Sequence, residues 1–379
     1  MASVTPTSKS GTPAIVLAAG GTGGHLFPAF ALAQELARRA IAVDLVTDRR
    51  GEGYGADFPA RAIHQIAAAT LTGRSPLAAA KTGLRLLRGV AAALGLLRRL
   101  KPAAVVGFGG YPSFAPVVAA RLLRLPTLLH EQNAVLGRAN RLLATHVTAV
   151  ATSFEQTKFV GERAHFKVRY VGNPVRDAVL QWADQAYREP SGQGPFQLLV
   201  FGGSQGARYF SQLLPAALAL LPPAARARLS LVQQCRTEDL AQVKSAYLAQ
   251  TVTAQLATFF PNLPAEMAKA HLVIARSGAS TVAELAVLGR PAILVPLPHA
   301  IDNDQRLNAI RLAESGGAWC IEQGDLSPER LASTLNDLMT APARLLGAAA
   351  AAKRQGRPDA VARLADLVEQ LIGNRSQGA

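Results

Sequence analysis

"AIVLAAGGTGGHLFPAFALAQELARRA", residues 14–40, decides the fold of this chain. Its first six residues form a continuous apolar run without alternation, the pattern of a strand buried on both faces. Four glycines follow within residues 20–24, and a helical pattern takes over after His25. Strand, glycine loop and helix in this order open a doubly wound α/β unit. Such a loop offers unpaired N–H groups and the positive end of the helix dipole, which together hold a phosphate or diphosphate. Glycine allows close approach because it has no Cβ. The bland alternative is a tight turn that serves packing alone.

Outward from this stretch the plan repeats. Short apolar runs at 42–47, 103–108, 126–130, 196–201, 229–234, 271–275 and 292–297 alternate with helical patterns. Continuous apolar strands separated by helices mean parallel sheets covered on both faces. Two further glycine loops follow such runs, "GFGGYPS" (107–113) and "GGSQGAR" (202–208). Three loops at strand ends, in both halves of the chain, favour phosphate binding over packing. None fits G-x-G-x-x-G followed by an acidic residue about 20 positions on, which disfavours a nicotinamide enzyme, although Asp44 and Asp48 keep that option open. Between Asn173 and Pro195 prolines, glycines and charge mark a linker. Two doubly wound units with a cleft between them are expected, with the ligands in that cleft.

Composition sets outer limits. With 379 residues, of which 49% are hydrophobic, the chain can fill two cores. The two cysteines sit in apolar stretches, so neither a disulfide framework nor a zinc site is expected, and a reducing cytoplasm is the expected home. No apolar run reaches the ~18 residues of a spanning helix, and no signal-peptide core is evident. Forty Lys and Arg against 25 Asp and Glu leave a net +15, which favours an anionic neighbour. Aromatics are only 6% and no basic run carries stacking residues, so an anionic membrane surface is expected rather than nucleic acid.

Two polar clusters lie in the second half. "RSGASTVAE" (276–284) places Glu284 on a helix, where it either accepts hydrogen bonds from a ribose diol or completes a capping box with Thr281. Ser204 could likewise be only an N-cap. Asp302-Asn303-Asp304 matches the D-x-D of some metal-dependent sugar transferases, but acid is favoured at a helix start in any case, and that is how it is read.

"GGTGGHLFPA", "GFGGYPS", "HEQN", "GNPVR", "GGSQGA", "RSGASTVAE" and "DQRLNA", in this order, resemble the MurG family. These bacterial transferases move N-acetylglucosamine from UDP onto lipid I in peptidoglycan synthesis. The resemblance implies a GT-B fold, two Rossmann-like domains with parallel sheets separated by a cleft. The first domain is expected over residues 1–176, with the helix 357–379 returning to it, and the second over 177–356. Inverting transfer without a metal or other cofactor is implied, as is a peripheral place on the cytoplasmic face of the inner membrane. The partners implied are UDP-N-acetylglucosamine and lipid I.

By the same resemblance, Ser204 meets the donor diphosphate and the backbone of Phe260 borders the uracil. Glu284 binds the ribose, beside the helix start of Ala279, Ser280, Thr281, Val282 and Ala283. Gln305 and Asn133 touch the sugar, Arg176 supplies positive charge, and Thr22, Gly23 and Gly24 contact the donor. Gly20, Gly21, Gly109, Gly110 and Tyr111 face the acceptor pyrophosphate, and His25 stands beside the attacking hydroxyl as the general base, with Glu131 as the rival base and a purely structural His25 as the alternative. Asp304 stands where the family often has glutamine. The rivals are a UDP-sugar epimerase or a transferase with another lipid acceptor on the same fold.

Residues 75–102 read as one helix on which Lys81, Arg85, Arg88 and Arg99 fall within roughly 60° of arc. Leu77 and Leu84 border this stripe, while Leu86, Val90 and Leu97 point to a core. Such a stripe suits an anionic leaflet. A solvated face is the alternative, and Gly83, Gly89 and Gly95 threaten the helix.

Overall fold

The computed structural model describes residues 14–20, 23–48, 58–66 and 76–377; the side chains of 76–81, 204–207, 301 and 374–377 fall outside that description. The chain divides into two compact units, Met1–Arg176 with Asp359–Ala379, and Asp177–Pro358.

The first unit holds a sheet of seven strands among the described residues. These are β1 (Ile15–Ala18), β2 (Val43–Thr47), β3 (Ala62–Gln65), β4 (Ala104–Gly107), β5 (Thr127–Glu131), β6 (Ala149–Thr152) and β7 (Val168–Tyr170). They are ordered β3-β2-β1-β4-β5-β6-β7, and every pair is parallel. β1 lies inside this sheet, Ile15 pairing with Val43 on one side and Ala104 on the other. Alternate residues of β1 serve different cores. Ile15 and Leu17 pack with Leu32, Leu36, Leu364 and Val368, whereas Val16 joins Leu97, Val117 and Leu129. This is why the run at 14–19 shows no polar alternation: both of its faces are covered.

Residues Leu32 and Leu36 come from the helix Gly23–Arg38, and Leu364 and Val368 from the helix Ala360–Gln377. The C-terminal helix thus docks on the first sheet through an apolar face that also buries Val361, Leu367 and Leu371. Arg39 fastens it at the rim, donating to Asp366 at 2.6 Å, Glu369 at 2.9 Å and the Ala362 carbonyl at 3.3 Å. On the other face the helix Pro76–Leu100 runs unbroken through all three of its glycines, contrary to the break feared from the sequence. Tertiary packing of Ala93, Leu96 and Leu97 outweighs a glycine penalty of about 1 kcal/mol each. Among the described residues no helix is long and apolar enough to cross a membrane.

The second unit repeats the plan with β8 (Phe196–Phe201), β9 (Leu229–Gln234), β10 (Thr253–Ala257), β11 (Leu272–Ala275), β12 (Ala292–Leu294) and β13 (Ala318–Cys320). Their order is β10-β9-β8-β11-β12-β13, again parallel throughout. Phe196, Leu198 and Val200 of β8 anchor its core against Phe210, Leu214 and Leu218 of the helix Gly203–Ala219.

Candidate active site

Parallel strands bring their carboxyl ends to one edge of a sheet, and ligands of such sheets bind where the strand order reverses. In the first unit this point lies between β1 and β4. After β1 come Ala19 and Gly20; Gly21 and Thr22 lie outside the described residues, and the helix Gly23–Arg38 follows. After β4 come Phe108 and Gly109, then the helix Gly110–Leu122.

His25 stands between these loops. A Cβ on Gly109 would sit 3.4 Å from Cε1 of its ring, and one on Gly110 only 3.3 Å from Cδ2 and 3.4 Å from Nε2. Both glycines have positive φ, 84° and 70°. With ψ at −175°, Gly109 occupies a region of backbone space that only glycine adopts readily. The bare backbone of this loop therefore serves the imidazole itself, a use that its reading as a phosphate loop did not include. Gly20 is bare for another reason, since a Cβ there would lie 2.8 Å from Oδ1 of Asp48 and 3.1 Å from Cβ of Pro112. At Gly23 a Cβ would come within 3.1 Å of the Phe27 ring. Gly24 is exposed and Tyr111 half-buried in the first turn of its helix.

The end of β5 supplies a second group of polar residues. Glu131 is 1% exposed, and each of its oxygens accepts two hydrogen bonds. Oε1 takes the backbone N–H of Asn133 at 3.1 Å and its Nδ2 at 3.2 Å. Oε2 takes the N–H of Gly137 at 2.7 Å and Nδ2 of Asn140 at 2.8 Å. With about four acceptor sites on a carboxylate, this pair of oxygens is saturated. Glu131 binds its own loop together, and Asn133 is part of that arrangement.

Next to it a chain of contacts runs to His25. Gln132 Oε1 lies 2.9 Å from Nδ1 of His25. Its Nε2 lies 2.9 Å from Nδ1 of His130 and donates to the His130 carbonyl at 3.0 Å. His130 Nε2 in turn lies 3.2 Å from the carbonyl of Gly172. Burial pushes the His130 imidazole down to a pKa of about 4, so it is neutral at physiological pH. His130, Gln132, Asn140 and Gly172 were not singled out from the sequence, although "HEQN" and "GNPVR" contain three of them. Arg176 completes the first unit's group, its guanidinium 4.1 Å above the Phe27 ring centroid.

In the second unit the order reverses between β8 and β11. Gly202 precedes the helix Gly203–Ala219, so Ser204 is inside the helix and is not its N-cap; the Ser204 side chain lies outside the described residues. Gly203, at φ 64°, donates its N–H to Gln234 at 3.1 Å. Among the described residues nothing lies within 4 Å of where its Cβ would be, so this backbone is open to approach.

After β11, Gly278 caps the helix Ala279–Leu288. The capping box read from Thr281 and Glu284 is therefore not formed: Thr281 is already the third residue of the helix, and the cap position belongs to a residue without a side chain. Ala279, Ser280, Thr281, Val282 and Ala283 make the first turn and a half, with Glu284 buried just beyond. Arg276, also buried, donates to the carbonyls of Val295 and Pro296 and to Gln323, and stacks on Tyr209 and Phe210. Burial lowers its pKa. Gln305 accepts the N–H of Leu297 at 3.0 Å, and Asp304 accepts the N–H of Gln305 at 2.7 Å, the helix-start role read for that acid. Phe260 is nearly buried, its carbonyl receiving the N–H of Leu263.

Residues 15–152 match the glycosyltransferase family 28 N-terminal domain, and residues 197–364 match the glycosyltransferase family 28 C-terminal domain. A UDP-N-acetylglucosamine–N-acetylmuramyl-(pentapeptide) pyrophosphoryl-undecaprenol N-acetylglucosamine transferase of Methylobacterium nodulans is 56% identical over 94% of this chain and 96% of its own. A relative of the same name from Chelativorans sp. is 54% identical over 96% of each chain. The crystal structure of Acinetobacter baumannii MurG superposes with a TM-score of 0.76 at 30% identity, covering 94% of this chain and 100% of that one. The two parallel-sheet units are those of the GT-B fold.

Proposed function

The chain belongs to glycosyltransferase family 28, and we infer from the two units how its reaction is divided between them. It is a hexosyltransferase that moves N-acetylglucosamine from UDP-N-acetylglucosamine to lipid I, giving lipid II in peptidoglycan synthesis. The first unit takes the acceptor and the second takes the donor.

His25 is the general base in this reading. The 4-hydroxyl of the acceptor's muramoyl sugar gives its proton to Nε2 of His25 while its oxygen bonds to the anomeric carbon. The bond from that carbon to the diphosphate breaks, UDP leaves with the electron pair, and the anomeric centre inverts. The observation that carries the assignment is the seating of His25: its ring rests on glycine backbone and its Nδ1 is held by Gln132. Glu131, the rival, is already saturated by four donors and acts as the brace of the loop. Gly20, Gly21, Gly109, Gly110 and Tyr111 border the acceptor pyrophosphate.

Donor binding falls to the helix starts at Gly203 and Ala279. An N-terminus stabilises an anion by up to ~2 kcal/mol in partly buried geometry, so two of them are of the order needed to hold a departing diphosphate. Ser204 meets that diphosphate, Glu284 the ribose and the Phe260 backbone the uracil. Gln305 and Asn133 contact the sugar, and Arg176, Thr22, Gly23 and Gly24 complete the donor contacts.

The acceptor's polyprenyl chain places it in a membrane. The helix Pro76–Leu100 exposes Leu84 and Leu87 beside Arg85 and Arg88, a face that fits an anionic leaflet at about 1 kcal/mol per cation. Lys81, assigned to the same stripe, lies outside the described side chains.

Labelled UDP-N-acetylglucosamine supplied with lipid I tests this reading. A labelled, lipid-extractable disaccharide is expected. A new UDP-sugar formed without acceptor would point instead to epimerisation, and the transferase reading would fall.

A further inference from the structure

We propose that Gln132 is a positioning residue that, with His130 and the Gly172 carbonyl, sets the tautomer of His25, placing the proton on Nδ1 and leaving Nε2 as the basic nitrogen. The proposal rests on the reading of His25 as the base.

The argument starts at the far end of the chain of contacts. A carbonyl oxygen only accepts, so His130 must carry its proton on Nε2 to bond to Gly172 at 3.2 Å. His130 is fully buried and neutral, so it has one N–H, and its Nδ1 is a lone pair. The atom of Gln132 that meets this lone pair at 2.9 Å must be a donor, the amide nitrogen. The same nitrogen bonds to the His130 carbonyl at 3.0 Å, a second contact that an oxygen could not make. Two acceptors thus fix the orientation of the amide independently, and its oxygen is left pointing to His25 at 2.9 Å. That oxygen only accepts, so Nδ1 of His25 is the protonated nitrogen. Neutral imidazole has one N–H, which leaves Nε2 with its lone pair.

The direction of information is from the buried backbone outward, across residues 172, 130, 132 and 25. Nε2 is also the nitrogen lying along the bare backbone of Gly110, so the base nitrogen sits at the edge where the strand order reverses. An acidic partner, as in a serine-protease triad, would orient the ring too, but would add a negative charge beside it. The amide orients without that charge.

Imidazole 1H–15N correlation spectra of the histidine-labelled full-length protein test the assignment in the wild type, so no variant needs to fold. His25 is expected as the Nδ1–H tautomer and His130 as the Nε2–H tautomer. Finding His25 as Nε2–H overturns the proposal. Gln132→Met, which keeps length and removes the hydrogen bonds, is expected to shift the His25 signals towards the other tautomer. It should also lower kcat on the order of tenfold while leaving the KM for UDP-N-acetylglucosamine unchanged. An unchanged His25 spectrum in a folded Gln132→Met protein also overturns it. His25→Ala with undiminished kcat would remove the base reading but not the tautomer, so the two failures are distinct.

Discussion

At the scale of single residues, the glycines divide by what occupies the space they leave. Gly109 and Gly110 leave room for the His25 ring, and their positive φ makes any side chain costly. Gly109→Ala is expected to destabilise by about 1–3 kcal/mol and to lower kcat by displacing the imidazole. Thermal unfolding and steady-state kinetics on the same protein measure both effects. Gly203→Ala is a useful contrast, because its Cβ meets nothing among the described residues. It should cost about 1–2 kcal/mol of backbone strain, yet raise the KM for the donor if the diphosphate approaches there. Glu284→Ala is likewise expected to raise donor KM. A fall in stability with KM unchanged would return Glu284 to a structural role, although the capping box is already excluded by Gly278 at the cap.

Secondary-structure elements show how far the sequence could be read. The strands at 196–201 and 229–234 are legible residue for residue, since they are apolar enough and bounded by turn residues. β3, β7 and β10 were not, because they are half-exposed: the edge strands read Ala-Ile-His-Gln, Val-Arg-Tyr and Thr-Ala-Gln-Leu-Ala. β6 and β13 are short and rich in small or polar-edged residues, and only their pairing makes them strands. The site was legible as motifs but not as contacts. Nothing in "HEQN" says that its glutamate is saturated by four donors or that its glutamine joins two histidines 105 positions apart. Those facts follow from β1, β4 and β5 lying side by side. The return of the C-terminal helix was expected from the resemblance, and Leu364→Ala should cost about 2–5 kcal/mol because that side chain is fully buried. Arg39→Ala should cost under ~1 kcal/mol, since Asp366 and Glu369 are 57% and 45% exposed. Urea unfolding of the two variants checks the order.

For the whole molecule, a fully buried histidine in the first unit, His130, and a partly buried one in the second, His271, link stability to pH. Burial is the chief cause that pushes both imidazoles below their ordinary pKa, His130 down to about 4. The Gln197 N–H donates to Nδ1 of His271, which fits the neutral form. Their folded pKa values lie below the unfolded ~6.5, so the unfolded chain binds more protons as pH falls. The stability is fully present above pH ~6.5 and is lost as pH drops towards 4, by roughly 3 kcal/mol for His130 alone. His130→Phe should flatten the fall of the urea midpoint between pH 7 and 5, whereas an unchanged slope would mean that His130 is charged in the fold. Surface charge acts at the same scale. Reversing Arg85 and Arg88 to Glu is expected to weaken binding to anionic vesicles while sparing turnover with a short, water-soluble acceptor. Equal loss in both assays would reject the membrane face.

The central claim is that His25 takes the proton from the acceptor. The single-turnover rate of His25→Ala, with UDP-N-acetylglucosamine and lipid I both saturating, addresses it most directly. A fall of about 10²–10⁴-fold with donor affinity unchanged is expected. Transfer at the wild-type rate, or a loss accounted for wholly by weaker donor binding, would contradict it.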